Sequence, residues 1–388
     1  MKKFTALIAA IVIAFSVTAC GKGETVDNKY TADQSYIYGM DYIIYERLGD
    51  IDYVKGIQLM NNLGVKSLRN WMHCDWFMDE ELTIKQGSVD AMKESIAELN
   101  KYGFQIIGMS HKNFNYTGNT SLKPPRDTTE GSYYLEWLDL YEETWYTLAG
   151  LFPEIQIWEI DNETNNTDFM KSTEGGDFGL YDMIDMSTDM FYRASKGIHR
   201  ANPEAVTVMG GFVTWNGEAF LEGVYENIKS GEFGEGSTDP DDYFQALAWH
   251  PYTSGFDKES FIEDNLALYD IAYSYEGKHK TVYFTELGNW TNTQSPELAA
   301  QYLQMVYEAT LESLPFVESI HYYAMFDNIL DNNNQCGLFY DPNPERIDMG
   351  PDGRADPGAP KPAAYAYQQM TGASGSLDLL KTPLSEIQ

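Results

Sequence analysis

The chain has 388 residues, is 43% hydrophobic, and carries 59 acidic against 26 basic side chains, a formal net charge of -33. Such a charge argues against nucleic acid as a partner and makes a neutral ligand more natural than an anionic polymer. Three cysteines are too few for a disulfide scaffold or a cysteine-rich metal centre, and the six histidines show no metal-ligand spacing.

In chain order, Lys2 and Lys3 precede an apolar stretch from Ala6 to Phe15, followed by Val17-Thr18-Ala19-Cys20. This is the pattern of a secretory signal ending in a lipobox. Residues 1–19 are expected to be removed, leaving Cys20 as an acylated N-terminus that anchors the protein to a bacterial membrane or cell surface outside the cytoplasm. Residues 20–34 are small, polar or charged and suit a flexible tether. A single domain is expected over residues 35–375, with residues 376–388 as a C-terminal tail.

Within that domain, short β-rich apolar runs fall at Tyr36–Ile43, Val65–Trp71, Phe104–Met109, Ile155–Ile160, Val206–Phe212, Ala246–His250, Val282–Thr285 and Ser319–Met325. Their starts are roughly 30–50 residues apart, the spacing of strand–loop–helix units rather than of hairpins. Helical patterns over Asp50–Leu63, Ser88–Tyr102 and Ser187–Ala201 end at Gly64, Gly103 and Asn202-Pro203, where a strand must follow. Eight such units predict an α/β fold, a (β/α)8 TIM barrel with its helices outside; a doubly wound open sheet is the alternative.

A barrel of this kind carries its site at the C-terminal ends of the strands. The residues following the runs are Arg69, Asn70, Trp71, His73 and Trp76; His111, Asn113, Phe114 and Tyr116; Asp161, Asn162 and Glu163; Trp215; His250 and Tyr252; Glu286, Asn289 and Trp290; and Tyr322, Tyr323 and Phe326. Glu163 and Glu286 follow the fourth and seventh runs, on opposite sides of a barrel mouth. Glycosidic cleavage uses such a pair: one carboxylic acid protonates the departing oxygen, and the other carboxylate attacks the anomeric carbon or activates water. Two such residues supply both roles without a cofactor.

The motifs at these positions resemble a known group. Trp158-Glu159-Ile160-Asp161-Asn162-Glu163 is similar to the strand-four signature of clan A glycoside hydrolases, and Thr285-Glu286-Leu287-Gly288 resembles their strand-seven nucleophile motif. Trp249-His250-Pro251-Tyr252 and Lys361-Pro362-Ala363-Ala364-Tyr365 resemble the strand-six motif and the opening of the last helix; families 39 and 5 are nearest in motif. The resemblance implies that Glu163 is the acid/base and Glu286 the nucleophile. It further implies that Asn162 binds a sugar 2-hydroxyl, that Arg69 and Tyr252 orient the nucleophile, and that His250 and His111 line the same subsite. An acid/base carboxyl is expected to have a raised pKa. Asp161 and Thr164 stand where those families often have Trp and Pro, so the resemblance leaves family and substrate open.

Trp71, Trp76, Trp215 and Trp290 follow strands, where a flat ring can stack on a pyranose; Trp215 and Trp290 are the substrate-binding candidates. The segment Asp341–Pro357 does not match an EF-hand calcium loop, and neither a metal nor a cofactor is expected. Cys74 and Cys336 follow strands on the same face, where a disulfide between them is feasible, and the sequence leaves open whether they are bridged. The sequence thus points to a monomeric retaining glycosidase acting on a neutral β-linked polysaccharide or oligosaccharide. A non-catalytic surface carbohydrate-binding lipoprotein and a transglycosidase using the same residues are the alternatives.

Overall fold

A computed structural model of the protein describes residues 30–44, 52–253, 255–289, 291, 294–327, 335–343 and 357–381. The signal segment, Cys20, Trp290 and residues 344–356 lie outside the described residues.

Eight strands form a closed barrel: β1 Tyr38–Asp41, β2 Ser67–Trp71, β3 Gln105–Ser110, β4 Ile157–Asn162, β5 Val206–Val213, β6 Leu247–His250, β7 Val282–Leu287 and β8 Val317–Tyr322. Neighbours pair in chain order, β8 closes on β1, and every pairing in the barrel is parallel. Each strand is followed by a helix: α1 Tyr53–Leu63, α2 Gln86–Asn100, α3 Tyr133–Leu151, α4 Leu180–Ala201, α5 Gly217–Ser230, α6 Lys258–Glu276, α7 Pro296–Ser313 and α8 Pro362–Thr371. The fold is the expected (β/α)8 barrel.

Local chemistry sets the helix ends. Asp52, Ser132, Asp257 and Ser295 accept backbone N–H groups at the starts of α1, α3, α6 and α7. Gly64 ends α1 in the left-handed region at φ 82°, where a Cβ would be strained. α4 begins seven residues before the periodic pattern predicts, because Asp182 returns its side chain to the Gly179 N–H at 3.2 Å and starts the helix there.

The strands alternate between two apolar layers. Ile107, Ile157, Val208, Ala248 and Tyr283 fill the barrel interior, whereas Trp158, Ile160, Met209, Trp249 and Phe284 face the helices. Alternation places Glu159 on the inward side of β4, in register with Ile157. Packing extends past both expected domain limits: Tyr30 stacks on His279 with centroids 4.8 Å apart, and Leu377 is buried.

Above the barrel, Leu122–Lys123 and Lys171–Ser172 form a two-stranded ribbon that joins the loops after β3 and β4. Cys74 and Cys336 are not bridged to each other, and both are buried. Each is committed to a different wall: the Cys74 thiol donates to the Lys112 carbonyl at 3.2 Å, while Cys336 packs beside Gly288 after β7.

Candidate active site

β2 delivers Arg69 into the barrel mouth with no exposed surface. A buried guanidinium is tolerated only where carboxylates match its fork. Nε and Nη2 reach the two oxygens of Glu159 at 2.6 and 3.1 Å, and Nη1 reaches Asp41 at 2.6 Å and Glu286 at 3.1 Å. Nη2 also donates to the Asn162 side-chain oxygen at 2.5 Å. Three carboxylates from β1, β4 and β7 therefore converge on one cation. Burial pushes the Asp41 carboxyl up to about 7; Arg69 opposes the shift, and Glu286 and Glu159 reinforce it.

Glu159 is the hub of this cluster, since its Oε1 also accepts the Gly211 N–H at 2.9 Å and the Thr285 hydroxyl at 3.0 Å. The backbone of β5 can approach so closely because residue 211 has no side chain: a Cβ there would lie 2.3 Å from His250 Nε2 and 2.5 Å from Thr285 Oγ1.

Thr285 has one proton and gives it to Glu159, so at its 3.2 Å contact with His250 Nε2 it accepts, and Nε2 carries a hydrogen. His250 Nδ1 lies 2.8 Å from Glu163 Oε1. The two share a single proton across that contact. Burial by itself raises the Glu163 carboxyl, but the His250 hydrogen bond and charge, with Asn166 and Arg69, outweigh it and hold the group below its usual value. His250 is shifted upward: burial lowers it, and the Glu286 and Glu163 charges overcome that effect. The raised pKa expected of an acid/base Glu163 is thus corrected; the imidazolium beside it favours the carboxylate, and the extra proton resides on the pair.

The turn carrying Glu163 departs from strand geometry. Asp161 and Glu163 both adopt left-handed backbone, at φ 67° and 46°, which costs about 1–3 kcal/mol per residue. Several contacts hold it there. Asp161 Oδ1 accepts the Asn162 N–H at 2.9 Å, the Glu163 N–H reaches the Gly211 carbonyl at 2.7 Å, and the Asn166 amide donates to Glu163 Oε2 at 2.6 Å. Lys123, descending from the ribbon with no exposed side-chain surface, pairs with Asp161 at 3.2 Å and donates to the Phe169 carbonyl at 3.3 Å.

The other sequence candidates divide. Tyr252 donates to Glu286 Oε1 at 2.7 Å. Asn162 is fully buried, and its amide nitrogen has no protein partner. His111 lies in an aromatic cluster with Trp71, His73 and Phe169, at centroid separations of 5.4, 4.4 and 5.3 Å. Burial and the neighbouring cations push both imidazoles down, His73 to about 3, so both are neutral. Trp76 joins the cluster through His73, 4.7 Å away. Trp215 stands 71% exposed on the turn after β5. Sequence reasoning did not single out Asp41, Lys123, Glu159 or Asn166 for roles; period-two alternation in β4 was the signal for Glu159.

One oxygen of Glu163, one of Glu286 and one His250 nitrogen all lie within 4.8 Å of one another. Among the described residues this is the one group spaced to hold a metal. Arg69, 3.1 Å from Glu286, already supplies a fixed positive charge that would repel a second cation. What the arrangement offers is a carboxylate fixed by Arg69 and Tyr252, facing a carboxyl group that shares a proton with an imidazole.

No family model and no curated protein matches the chain. Solved structures do. A family 39 glycoside hydrolase from the gut symbiont Bacteroides cellulosilyticus WH2 is 16% identical at TM-score 0.60, over 89% of this chain and 65% of that one. The chain therefore spans just under two thirds of that protein's length. A GH5-4 broad specificity endoglucanase from Clostridium longisporum is 12% identical at TM-score 0.61, over 89% of this chain and 99% of that one. A family 1 β-glucosidase from Thermotoga maritima is 12% identical at TM-score 0.56, with the same coverage of 89% and 99%. At these identities the likeness is one of fold.

Proposed function

We propose that the protein is a retaining glycoside hydrolase of clan A type, with Glu286 as nucleophile and Glu163 as acid/base, acting on a neutral β-linked glycan. The carrying observation is the approach of the two carboxylates to within 4.8 Å across the barrel mouth. Retaining enzymes hold the pair at about 5–5.5 Å, whereas inverting ones leave about 6.5–9.5 Å for a water. Glu286 attacks the anomeric carbon while Glu163 gives its proton to the leaving oxygen, breaking the glycosidic bond. Glu163 then takes a proton from water, whose oxygen displaces Glu286. Arg69 and Tyr252 keep the attacking oxygen fixed and charged, and the buried Asn162 amide is the donor for a sugar hydroxyl. The fold neighbours, described as an endoglucanase and a β-glucosidase among others, agree with a β-glycoside substrate. The formal charge of -33 favours a neutral one.

Proton NMR of the earliest product from an aryl β-glycoside tests the mechanism: the β-anomer is expected first, and an α-anomer would exclude a covalent intermediate. The sequence Val17-Thr18-Ala19-Cys20 supports a lipid-anchored location outside the cytoplasm. Cys20→Ser should abolish acylation and release the protein or leave it unprocessed; a correctly sized, membrane-retained Cys20→Ser form would remove that part of the proposal.

A further inference from the structure

Two exposed aromatic rings stand on the loops on either side of the one that carries Glu163. Tyr116, in the loop after β3, is 59% exposed, and Trp215, on the turn after β5, is 71% exposed. Exposed apolar side chains are individually ordinary, but Tyr116 is itself braced and Trp215 stands on a fixed turn. The Tyr116 backbone N–H donates to the Tyr133 hydroxyl at 2.7 Å, its own hydroxyl donates to Thr173 at 2.9 Å, and the Tyr133 ring meets it edge-on with centroids 4.7 Å apart. Thr173 continues the ribbon and bonds the Lys123 carbonyl at 3.0 Å, and Lys123 is the residue paired with Asp161. The turn that carries Trp215 is fixed from the other side. Asn165 exchanges hydrogen bonds with both backbone groups of Val213, at 2.8 and 2.9 Å, and accepts from the Asn216 amide at 3.2 Å.

Tyr116 and the turn that carries Trp215 are therefore tied to the loop that carries Glu163, in the barrel sectors on either side of β4. The proton donor faces the departing oxygen, so whatever follows that oxygen in the substrate extends over this side of the mouth. An exposed ring there, on a backbone already fixed, suits a pyranose face.

We infer that Tyr116 and Trp215 form an outer subsite for the leaving-group side of a β-linked glycan of several units, so that the preferred substrate is a chain rather than a disaccharide or a small glycoside. The inference rests on the glycosidase reading for its direction, but its test is one of binding. In the Glu286→Ala background, calorimetric titration with β-1,4-linked gluco-, manno- and xylo-oligosaccharides of three and six units gives the affinity gained with length. A gain is expected for at least one series, and adding Tyr116→Ala or Trp215→Ala should each erase roughly three- to ten-fold of it. Tyr116→Trp, which keeps a ring, should retain most of it. Failure of every hexasaccharide to bind better than its trisaccharide, or an unaltered gain in both alanine variants, overturns the subsite. Hydrolysis by the wild-type protein is scored separately, so a protein that binds chains in this way without cleaving any bond would sink the glycosidase reading and leave the subsite standing.

Discussion

Nδ1 of His250 lies 2.8 Å from Oε1 of Glu163, while Nε2 of the same ring is directed to the Thr285 hydroxyl. The imidazole is thereby fixed in one orientation, with its proton on Nε2 accounted for and a second proton shared with the carboxyl group proposed as the acid.

That sharing determines the basic limb of activity. Glu163 can donate only while the pair holds its shared proton, and His250, whose pKa is raised above 6.5, is where that proton is lost as pH rises. In His250→Ala the carboxyl titrates alone. Its pKa rises from the depressed value it has beside the imidazolium, yet the proton is no longer stored on a group titrating above 6.5. The basic limb of the kcat/KM profile should move to lower pH. An unmoved limb would show that Glu163 and His250 do not titrate together.

The two carboxylates should fail in different ways when removed. With an activated aryl β-glycoside, Glu163→Ala should form the glycosyl-enzyme and then stall, because water lacks its base; azide needs none and should release a β-glycosyl azide. Glu286→Ala should hydrolyse negligibly and, with azide entering directly, give the α-product. Exchanged products would reverse the roles, and wild-type turnover in both variants would remove the pair from the chemistry altogether.

Lys123 touches neither carboxylate of the pair, yet it supports the turn that aims one of them. Lys123→Met leaves Asp161 as an unpaired buried charge and should cost about 3–5 kcal/mol in denaturant unfolding, with kcat reduced more than KM is changed. Adding Asp161→Asn removes the stranded charge and should return part of the stability. If the single variant unfolds like the parent, the ion pair does not support the turn.

The barrel was legible in the sequence because its signal is repeated: eight apolar runs at strand–helix spacing, with helical patterns between them that stop at Gly64, Gly103 and Asn202-Pro203. Glu163 and Glu286 were legible because they follow such runs. Glu159 was harder to single out, since one inward carboxylate in a strand looks the same whether it meets solvent or an arginine 90 positions earlier. Lys123 comes from a ribbon of two residues on each side, too short to leave any periodicity. The direction of the Glu163 shift also escaped prediction, because it depends on a ring nitrogen 87 positions away and not on burial alone. The two cysteines share the face expected of them, but the direction of each thiol is set by contacts no spacing encodes.

Position 211 has a consequence for how this sequence can vary. Gly211 is the point where β5 presses against Glu159, Thr285 and His250, and the volume of one methyl group there is already occupied by three polar atoms. In a saturation library selected for activity, neighbouring positions on β5 should drift among apolar residues, while this one admits a single letter. Even alanine, the smallest possible change, should register there as a loss of turnover, although no atom of residue 211 other than its backbone takes part in the site.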